Sequence, residues 1–142
     1  MNQIAAPVLR PVVRLQIEVA PPTLLGTLNG IERRMVSIVG GRVQGQFSGS
    51  ILPGGTDVQS VRDDGTIELM ARYAVDLGDA GHLLLENTGL RRTATEDDRP
   101  YFRGRMRFEA PAGSLAWLNS AIFLTSGYRD GSVVHLEVFE VL

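Results

Sequence analysis

The chain has 142 residues and a mass of 15.4 kDa, which is the size of one compact domain. Hydrophobic residues make up 44% of the chain and charged residues 21%, proportions that exclude a disordered tail, a collagen-like rod and a coiled coil. The 14 basic and 16 acidic residues leave a net charge of −2, too even for a nucleic-acid-binding face. We therefore expect a single domain over residues 1–142 that does not bind nucleic acid. The sequence has no apolar span of about 18 residues, so no membrane is expected as a partner.

The residue types present also limit the chemistry. All 14 basic residues are arginines, so a lysine Schiff base is excluded, and the absence of cysteine excludes thiol nucleophiles, disulfides and thiolate metal sites. The two histidines, His82 and His135, do not have the spacing of a metal site, so we expect no metal and no cofactor. The start of the chain, residues 1–14, has no signal-peptide core, and a cytoplasmic location is expected.

Strict alternation of apolar and polar residues predicts β-strands from the first segment onward. The first predicted strand is 13–19, which ends before Pro21 and Pro22. The residues up to Gly30 are predicted as a loop or a short helix. An extended pattern resumes over 33–39, and Gly40-Gly41 predicts a turn.

The rest of the chain continues as strands separated by glycine-rich turns, with Asp-Gly at two tight turns. The charged stretch 91–100 is predicted as a surface loop. The other predicted strands are 42–52, 57–62, 66–77, 82–87, 101–109, 115–127 and 132–142. Eight or nine such strands predict an all-β fold, a single antiparallel barrel rather than a sandwich, because closure removes exposed strand edges. Such a barrel can hold one small ligand.

One predicted strand carries a row of polar residues on a single face, and four of the five are charged. This charged row consists of Tyr101, Arg103, Arg105, Arg107 and Glu109. Facing the lumen, the arginines would bind an anion and the glutamate would act as a general base. Facing outward, the row would be a solvated surface, since buried unpaired guanidinium groups are costly. A bulge at the glycine within the row could also divide it between the two faces.

Further candidates lie on neighbouring strands. Asp57 follows two glycines, where it is either a half-buried proton acceptor or the cap of a turn. Arg72 either pairs with a glutamate on its own strand or fixes Asp57. Tyr73 lies among apolar residues, so its buried hydroxyl needs a partner. Trp117 and Asn119 either orient a flat ligand or belong to the core and to a turn.

An ordered set of segments resembles the domain-of-unknown-function 3237 family. These segments are Leu52-Pro53-Gly54-Gly55-Thr56-Asp57, Ala71-Arg72-Tyr73, Asn87-Thr88-Gly89-Leu90-Arg91, Tyr101-Phe102-Arg103, Arg107-Phe108-Glu109, Trp117-Leu118-Asn119 and Val138-Phe139-Glu140-Val141. The resemblance implies a barrel similar to lipocalins or to allene oxide cyclase, with no obligatory cofactor. It also makes Arg91 and Tyr101 candidates for substrate contact. The chain departs from the family at Val58, Met70 and Met106, and the first two replacements predict a larger, drier pocket.

By elimination, these features predict a cofactor-independent enzyme of isomerase, cyclase or lyase type that acts on a small apolar or aromatic molecule. Its proton acceptors are predicted to be Asp57 and Glu109, and its anion stabiliser Arg103. The expected substrate contacts are Tyr73, Trp117, Asn119, Arg72, Arg91 and Tyr101. The alternatives are a barrel that binds a small hydrophobic ligand without chemistry, and a structural oligomer.

Self-association is expected because two segments are apolar on both parities. These are 83–85 and 115–124, which contain more apolar positions than one lumen can bury. An outer face is therefore predicted to meet a second copy of the chain, most simply in a dimer.

Overall fold

A computed structural model describes residues 2–93 and 100–142, and over these residues the chain is nearly all β-sheet, with 6% helix. The described strands are β1 (Leu9–Val19), β2 (Thr23–Leu28), β3 (Ile31–Gly45), β4 (Gly49–Ile51), β5 (Gly55–Val61), β6 (Ile67–Asp76), β7 (His82–Thr93), β8 (Pro100–Glu109), β9 (Ile122–Asp130) and β10 (Val133–Val141). They form a closed antiparallel barrel of eight strands with two additional strands, which confirms the predicted fold class. The barrel closes because β1 pairs with both β10 and β3.

The period-two pattern explains which side chains fill the barrel. On β6, for example, Leu69, Ala71, Tyr73 and Val75 are buried, and the residues between them face outward. The same alternation continues around the barrel and builds one core. The predicted loop 91–100 is wrong at both ends, because 91–93 belong to β7 and Pro100 begins β8. Residues 94–99 lie outside the described residues.

The prediction of a loop or short helix before Gly30 is wrong. Residues Thr23–Leu28 form β2, which pairs only with β3 among the described strands. The turn between them is Asn29-Gly30, and both residues have positive φ, 51° and 76°. This is the backbone that a tight hairpin requires, and Asn-Gly is its strongest sequence signal.

The predicted turn at Gly40-Gly41 is also wrong, since both residues lie inside β3. The register between β1 and β3 shifts there, and β3 exchanges its neighbour β5 for β4. Gly41 has a φ of +139°, and a Cβ at this position would lie 2.1 Å from the carbonyl oxygen of Gln16. Glycine at this position therefore permits the close approach of β1 and β3 next to the register shift.

The predicted strand 115–127 begins later than expected. Its first part is a 3₁₀ helix, Ala116–Ser120, and β9 follows it. The helix lies at one end of the barrel, where Trp117 is 5.9 Å from Phe123, ring centre to ring centre, and Phe123 is 5.0 Å from Phe108. We call these three residues and Phe47, which is 6.3 Å from Phe108, the aromatic cluster. It fills this end of the lumen.

Only one other helix occurs among residues 2–93 and 100–142, the 3₁₀ turn Gly78–Ala80. In those ranges, no helix has the length and apolarity needed to cross a bilayer.

Gly104 in β8 does not divide the charged row between two faces, because the register of β7 with β8 is continuous. The glycine has a different role. The Thr125 hydroxyl of β9 donates a hydrogen bond to Asn87 Oδ1 of β7 at 3.1 Å, and both side chains are buried. A Cβ on Gly104 would lie 2.6 Å from each of these two oxygens. Only glycine therefore leaves room for this hydrogen bond, which joins β7 and β9 across β8.

The outer face of β1, β10 and β9 carries an apolar patch at one end. Cross-strand neighbours Leu9, Val141 and Ile122 form one row, and Pro11, Phe139 and Leu124 form the next. Leu9, Ile122 and Leu124 are 49%, 62% and 39% exposed. We call these six residues the outer apolar patch. Leu124 belongs to one of the segments that is apolar on both parities.

We propose that the outer apolar patch is covered by a second copy of the chain, as expected from the sequence. Leu124→Glu should shift the mass measured by light scattering at micromolar concentration from dimer to monomer, because it places a charge inside an apolar contact. Val39→Glu changes an exposed apolar residue of β3 and serves as the control. A monomeric mass for the unaltered chain would contradict this proposal.

Candidate functional site

A small cavity of about 40 Å³ opens in the lumen towards the barrel end opposite the aromatic cluster. It holds roughly two or three water molecules. Aliphatic side chains of β1, β3, β6 and β10 and the ring of Phe102 form most of its wall. Its polar side chains are Asp57, Gln59, Tyr73, Asn87, Arg91 and Arg129. A few polar groups on an apolar wall are typical of a site that orients a small molecule.

Asp57 is held inside the barrel by β5. Gly55 lets β5 approach β6 closely, because a Cβ there would lie 2.5 Å from the Cβ of Tyr73. Alternation then directs both Asp57 and Gln59 into the cavity. Gln59 Nε2 donates a hydrogen bond of 2.8 Å to Asp57 Oδ2, whereas Asp57 Oδ1 is buried and has no partner within the described ranges.

Burial raises the pKa of Asp57 above its ordinary value. The hydrogen bond from Gln59, the positive charge of Arg91, the nearby Met70 backbone amide and the charge of Arg129 oppose this shift without cancelling it. The carboxylate is therefore more basic than an exposed aspartate, and one of its oxygens is available to accept a proton.

Tyr73 supplies a second unpaired group to the same cavity. Its side chain is only 2% exposed, and its hydroxyl has no hydrogen-bond partner in the part of the chain that the structure describes. Burial, and then the negative charge of Asp57, raise the pKa of the phenol, so it remains protonated. A neutral hydroxyl in this position can donate a hydrogen bond to a ligand.

Two arginines lie where the cavity opens into a wider depression. Arg91 of β7 and Arg129 of β9 line both the cavity and an adjoining depression of about 280 Å³, which we call the mouth. Burial lowers the pKa of Arg91, and the positive charges of Arg129 and Arg34 lower it further, while Asp57 opposes the shift. Phe102 also belongs to both spaces, so the mouth continues into the cavity.

Three of the residues predicted for the site, Asp57, Tyr73 and Arg91, lie together in this cavity. Gln59, Asn87 and Arg129 were not predicted. Gln59 could have been found from its spacing of two residues from Asp57 on one strand. Arg129 falls between the predicted strands 115–127 and 132–142, whereas β9 extends through it.

The expectation that Glu109 and Arg103 point into the lumen is corrected by the structure. Both are exposed on the outer face of β8, as are Arg105 and Arg107, while the alternate apolar residues of β8 are buried. The apolar side chains take the inner face because burying a guanidinium group without a partner is costly. Arg103 and Glu109 are therefore not brought together with Asp57.

Two other candidates also lie on the outside of the barrel. Tyr101 faces outward, with the guanidinium carbon of Arg92 at 4.3 Å from its ring centre. Arg72 is exposed and lines a polar depression with Glu86 and Glu109. The hypothesis that Arg72 fixes Asp57 is not supported, because alternation along β6 directs Arg72 away from the lumen.

Trp117 and Asn119 lie at the opposite end from the cavity. Asn119 Oδ1 accepts a hydrogen bond from the Ala110 amide at 2.7 Å, and its Nδ2 donates to the Ala110 carbonyl at 3.0 Å. Trp117 belongs to the aromatic cluster. Here the core-and-turn alternative describes the structure, and neither side chain is placed to contact a ligand in the cavity.

The departures from the family pattern do not alter the cavity as predicted. Val58 and Met70 are paired across β5 and β6 on the outer face, since their neighbours Asp57 and Leu69 face inward. The expectation of a larger, drier pocket was therefore wrong. Met106 does face inward, where it is fully buried.

The histidines lie apart from the cavity. His82 Nε2 is 4.0 Å from Asp76 Oδ1, and His135 stacks on Tyr128 with ring centres 4.6 Å apart. Across residues 2–93 and 100–142, no three histidine or carboxylate side chains come together as a possible metal site.

Known proteins resemble this chain over nearly its whole length. A UPF0311 protein of Clostridium acetobutylicum is 33% identical over 92% of this chain and 91% of its own. A β-barrel-like protein from Acinetobacter baumannii has a TM-score of 0.91 at 25% identity, with both chains covered completely. A structure described as an enzyme from Penicillium herquei covers all of this chain and 99% of its own with a TM-score of 0.79, but its 18% identity shows the fold alone.

The family comparison covers both the barrel and the cavity. The model of the family described as "Protein of unknown function (DUF3237)" matches residues 7–141, which include every strand of the barrel. The segments 52–57, 71–73 and 87–91, which carry Asp57, Tyr73 and Arg91, fall within that match. The chain belongs to the DUF3237 family.

Proposed function

We propose that the protein is a cofactor-independent enzyme that moves a proton on a small molecule, an isomerase, cyclase or lyase, with Asp57 as the proton acceptor. The observation that carries this proposal is Asp57 Oδ1, which is buried beside the Tyr73 hydroxyl in an apolar cavity; neither oxygen has a hydrogen-bond partner among residues 2–93 and 100–142. Two buried polar atoms without partners are costly in a stable fold. Such a cost is typical of groups kept for a ligand.

The size of the cavity defines how a substrate would bind. A space of about 40 Å³ admits one functional group or the edge of a ring, whereas the mouth, at about 280 Å³, can hold the rest of the molecule. The reacting C–H group would point inward to Asp57 and the body of the molecule would lie against Phe102. Enclosure of this kind holds the reacting atoms in position.

The proposed reaction is a proton transfer in two steps. Asp57 Oδ1 forms a bond to the proton as the C–H bond breaks, and the electron pair moves to the substrate oxygen of a developing enolate. The Tyr73 hydroxyl donates a hydrogen bond to that oxygen and stabilises its developing charge. The electron pair of the enolate then forms a new C–H bond at another carbon of the substrate as the Asp57 O–H bond breaks, so that no co-reactant is consumed. A positioned base contributes about 10²–10⁴ in rate.

The alternative function is a barrel that holds a small hydrophobic molecule without chemistry. The aliphatic character of most of the cavity wall favours it. Both functions require the cavity, and only the enzyme requires the Asp57 carboxylate.

The test uses 5-nitrobenzisoxazole, a planar molecule that opens to a coloured phenolate when one base removes one proton. The unaltered protein should accelerate ring opening, and Asp57→Asn should lower the rate by at least about 100-fold. The rate should rise with pH through the raised pKa of Asp57 and then level off, because only the ionised carboxylate accepts a proton. Absorbance of the phenolate product, followed across pH, measures both effects.

Glu109→Gln provides the matched control, because it removes a carboxylate from the outer face of the same barrel. Its rate should equal that of the unaltered protein. Asp57→Asn should also remain folded at neutral pH. The folded-state pKa of Asp57 is raised, so ionisation of this group lowers stability as pH increases above the unfolded value, and the amide avoids that cost. Equal rates for the unaltered protein and Asp57→Asn would refute the enzyme and favour the binding barrel.

A further inference from the structure

Among the described residues, the charged side chains that line the mouth are all arginines. Arg91 and Arg129 come from different strands and line the same space, and Arg34 lies close enough for its charge to affect Arg91. Among the described residues, neither Arg91 nor Arg129 has a carboxylate oxygen within 4.0 Å, whereas Arg34 pairs with Glu32 at 3.4 Å. Like charges held together in a partly buried site repel one another, and a bound anion relieves that repulsion.

We propose that the ligand of this cavity is a small organic monocarboxylate whose carboxylate group binds to Arg91 and Arg129 at the mouth. This inference rests on the proposed function for the choice of site, and it names the class of substrate. Arginine matches a carboxylate because its planar fork donates two parallel hydrogen bonds. The carboxylate is a handle that directs the opposite end of the molecule into the cavity.

The surroundings of the arginines define the rest of the ligand. Phe102, Tyr128 and Ile67 line the mouth and offer aromatic and aliphatic surface to a flat apolar body. Deeper in the cavity, the negative charge of Asp57 repels a second anionic group. The site therefore favours one carboxylate at the mouth and an uncharged reacting end inside, and it disfavours a dicarboxylate that spans both.

The test compares phenylacetate with its neutral analogue phenylacetamide by titration calorimetry. Phenylacetate should bind to the unaltered protein at least about ten-fold more tightly than the amide, since a charge-assisted pair is worth more than a neutral hydrogen bond. Arg91→Gln and Arg129→Gln should each weaken phenylacetate binding by about ten-fold and leave phenylacetamide binding nearly unchanged. Arg105→Gln removes an exposed arginine from the outer face of β8 and should have no effect.

The proposal would be overturned by equal affinities for the two probes, or by equal losses in Arg91→Gln, Arg129→Gln and Arg105→Gln. Circular dichroism establishes that each variant is folded, and two independent arginine variants guard against the failure of one. Asp57→Asn should bind phenylacetate at least as tightly as the unaltered protein, because a repelling charge is removed. Arginine-dependent binding without Asp57-dependent ring opening would refute the proposed function alone, and the converse result would refute only the monocarboxylate.

Discussion

Replacing Phe123 by alanine is expected to lower the free energy of unfolding by about 3–5 kcal/mol, the usual cost of removing a buried aromatic side chain. The ring is fully buried and makes edge-to-face contact with Phe108, with 5.0 Å between ring centres. The ring centre of Trp117 lies 5.9 Å from that of Phe123. Because large rings surround the vacated space, the core can collapse only partly into it.

Urea unfolding followed by tryptophan fluorescence measures this change, since the chain has one tryptophan and it lies beside Phe123. Met70→Ala is the control, because Met70 is 49% exposed on the outer wall. Its cost should stay within about 0.5 kcal/mol, as for most surface substitutions. A Phe123→Ala protein as stable as the Met70→Ala protein would show that the aromatic cluster does not stabilise the barrel.

Gly104→Ala is expected to destabilise the barrel by about 2–4 kcal/mol, because it breaks one buried hydrogen bond and leaves two polar groups unpaired. The added Cβ would lie 2.6 Å from Asn87 Oδ1 and from Thr125 Oγ1, and 2.9 Å from the Thr88 carbonyl oxygen. The carbonyl belongs to the backbone of β7 and cannot move aside without disturbing the pairing of β7 with β8.

Gly40→Ala is the matched control for Gly104→Ala. Gly40 also lies in a strand with ordinary φ, but its added Cβ would meet the carboxylate oxygen of Glu18 at 3.1 Å, the far end of a flexible side chain. Thermal unfolding of the two variants should therefore separate them clearly, with Gly40→Ala close to the unaltered protein. Equal melting temperatures would indicate that the bond between Asn87 and Thr125 contributes little.

The fold could be predicted from the sequence wherever burial alternates cleanly. On β1, the residues from Val13 to Val19 alternate between buried and exposed, and the strand was predicted there. On β2, all of Thr23–Leu28 is exposed, so no alternation marks the strand, and only the Asn-Gly turn indicates it. The 3₁₀ helix Ala116–Ser120 was missed because a short apolar run does not distinguish a strand from a buried turn.

The candidate site was predictable only in part, because alternation gives two faces without saying which one is inside. On β8, the charged row and the apolar row were both recognised, but Arg103 and Glu109 were assigned to the lumen. The prediction of Asp57 rests on the two glycines that precede it. The structure explains one of them, because Gly55 packs too closely on Tyr73 to carry a side chain. Arg129 is on a strand distant in sequence from Asp57, and the closure of the barrel is what brings both to one cavity.

The aromatic cluster and the cavity occupy opposite ends of the barrel lumen, so substitutions at one end leave the contacts at the other end unchanged. Energetic effects of substitutions that are far apart and share no partners usually add independently. Residues at the mouth, such as Arg91 and Tyr128, can therefore be exchanged to suit a new ligand without weakening the packing around Phe123. Proteins that keep the aromatic cluster can differ in the residues that line the mouth. Relatives that share this barrel therefore need not share a substrate.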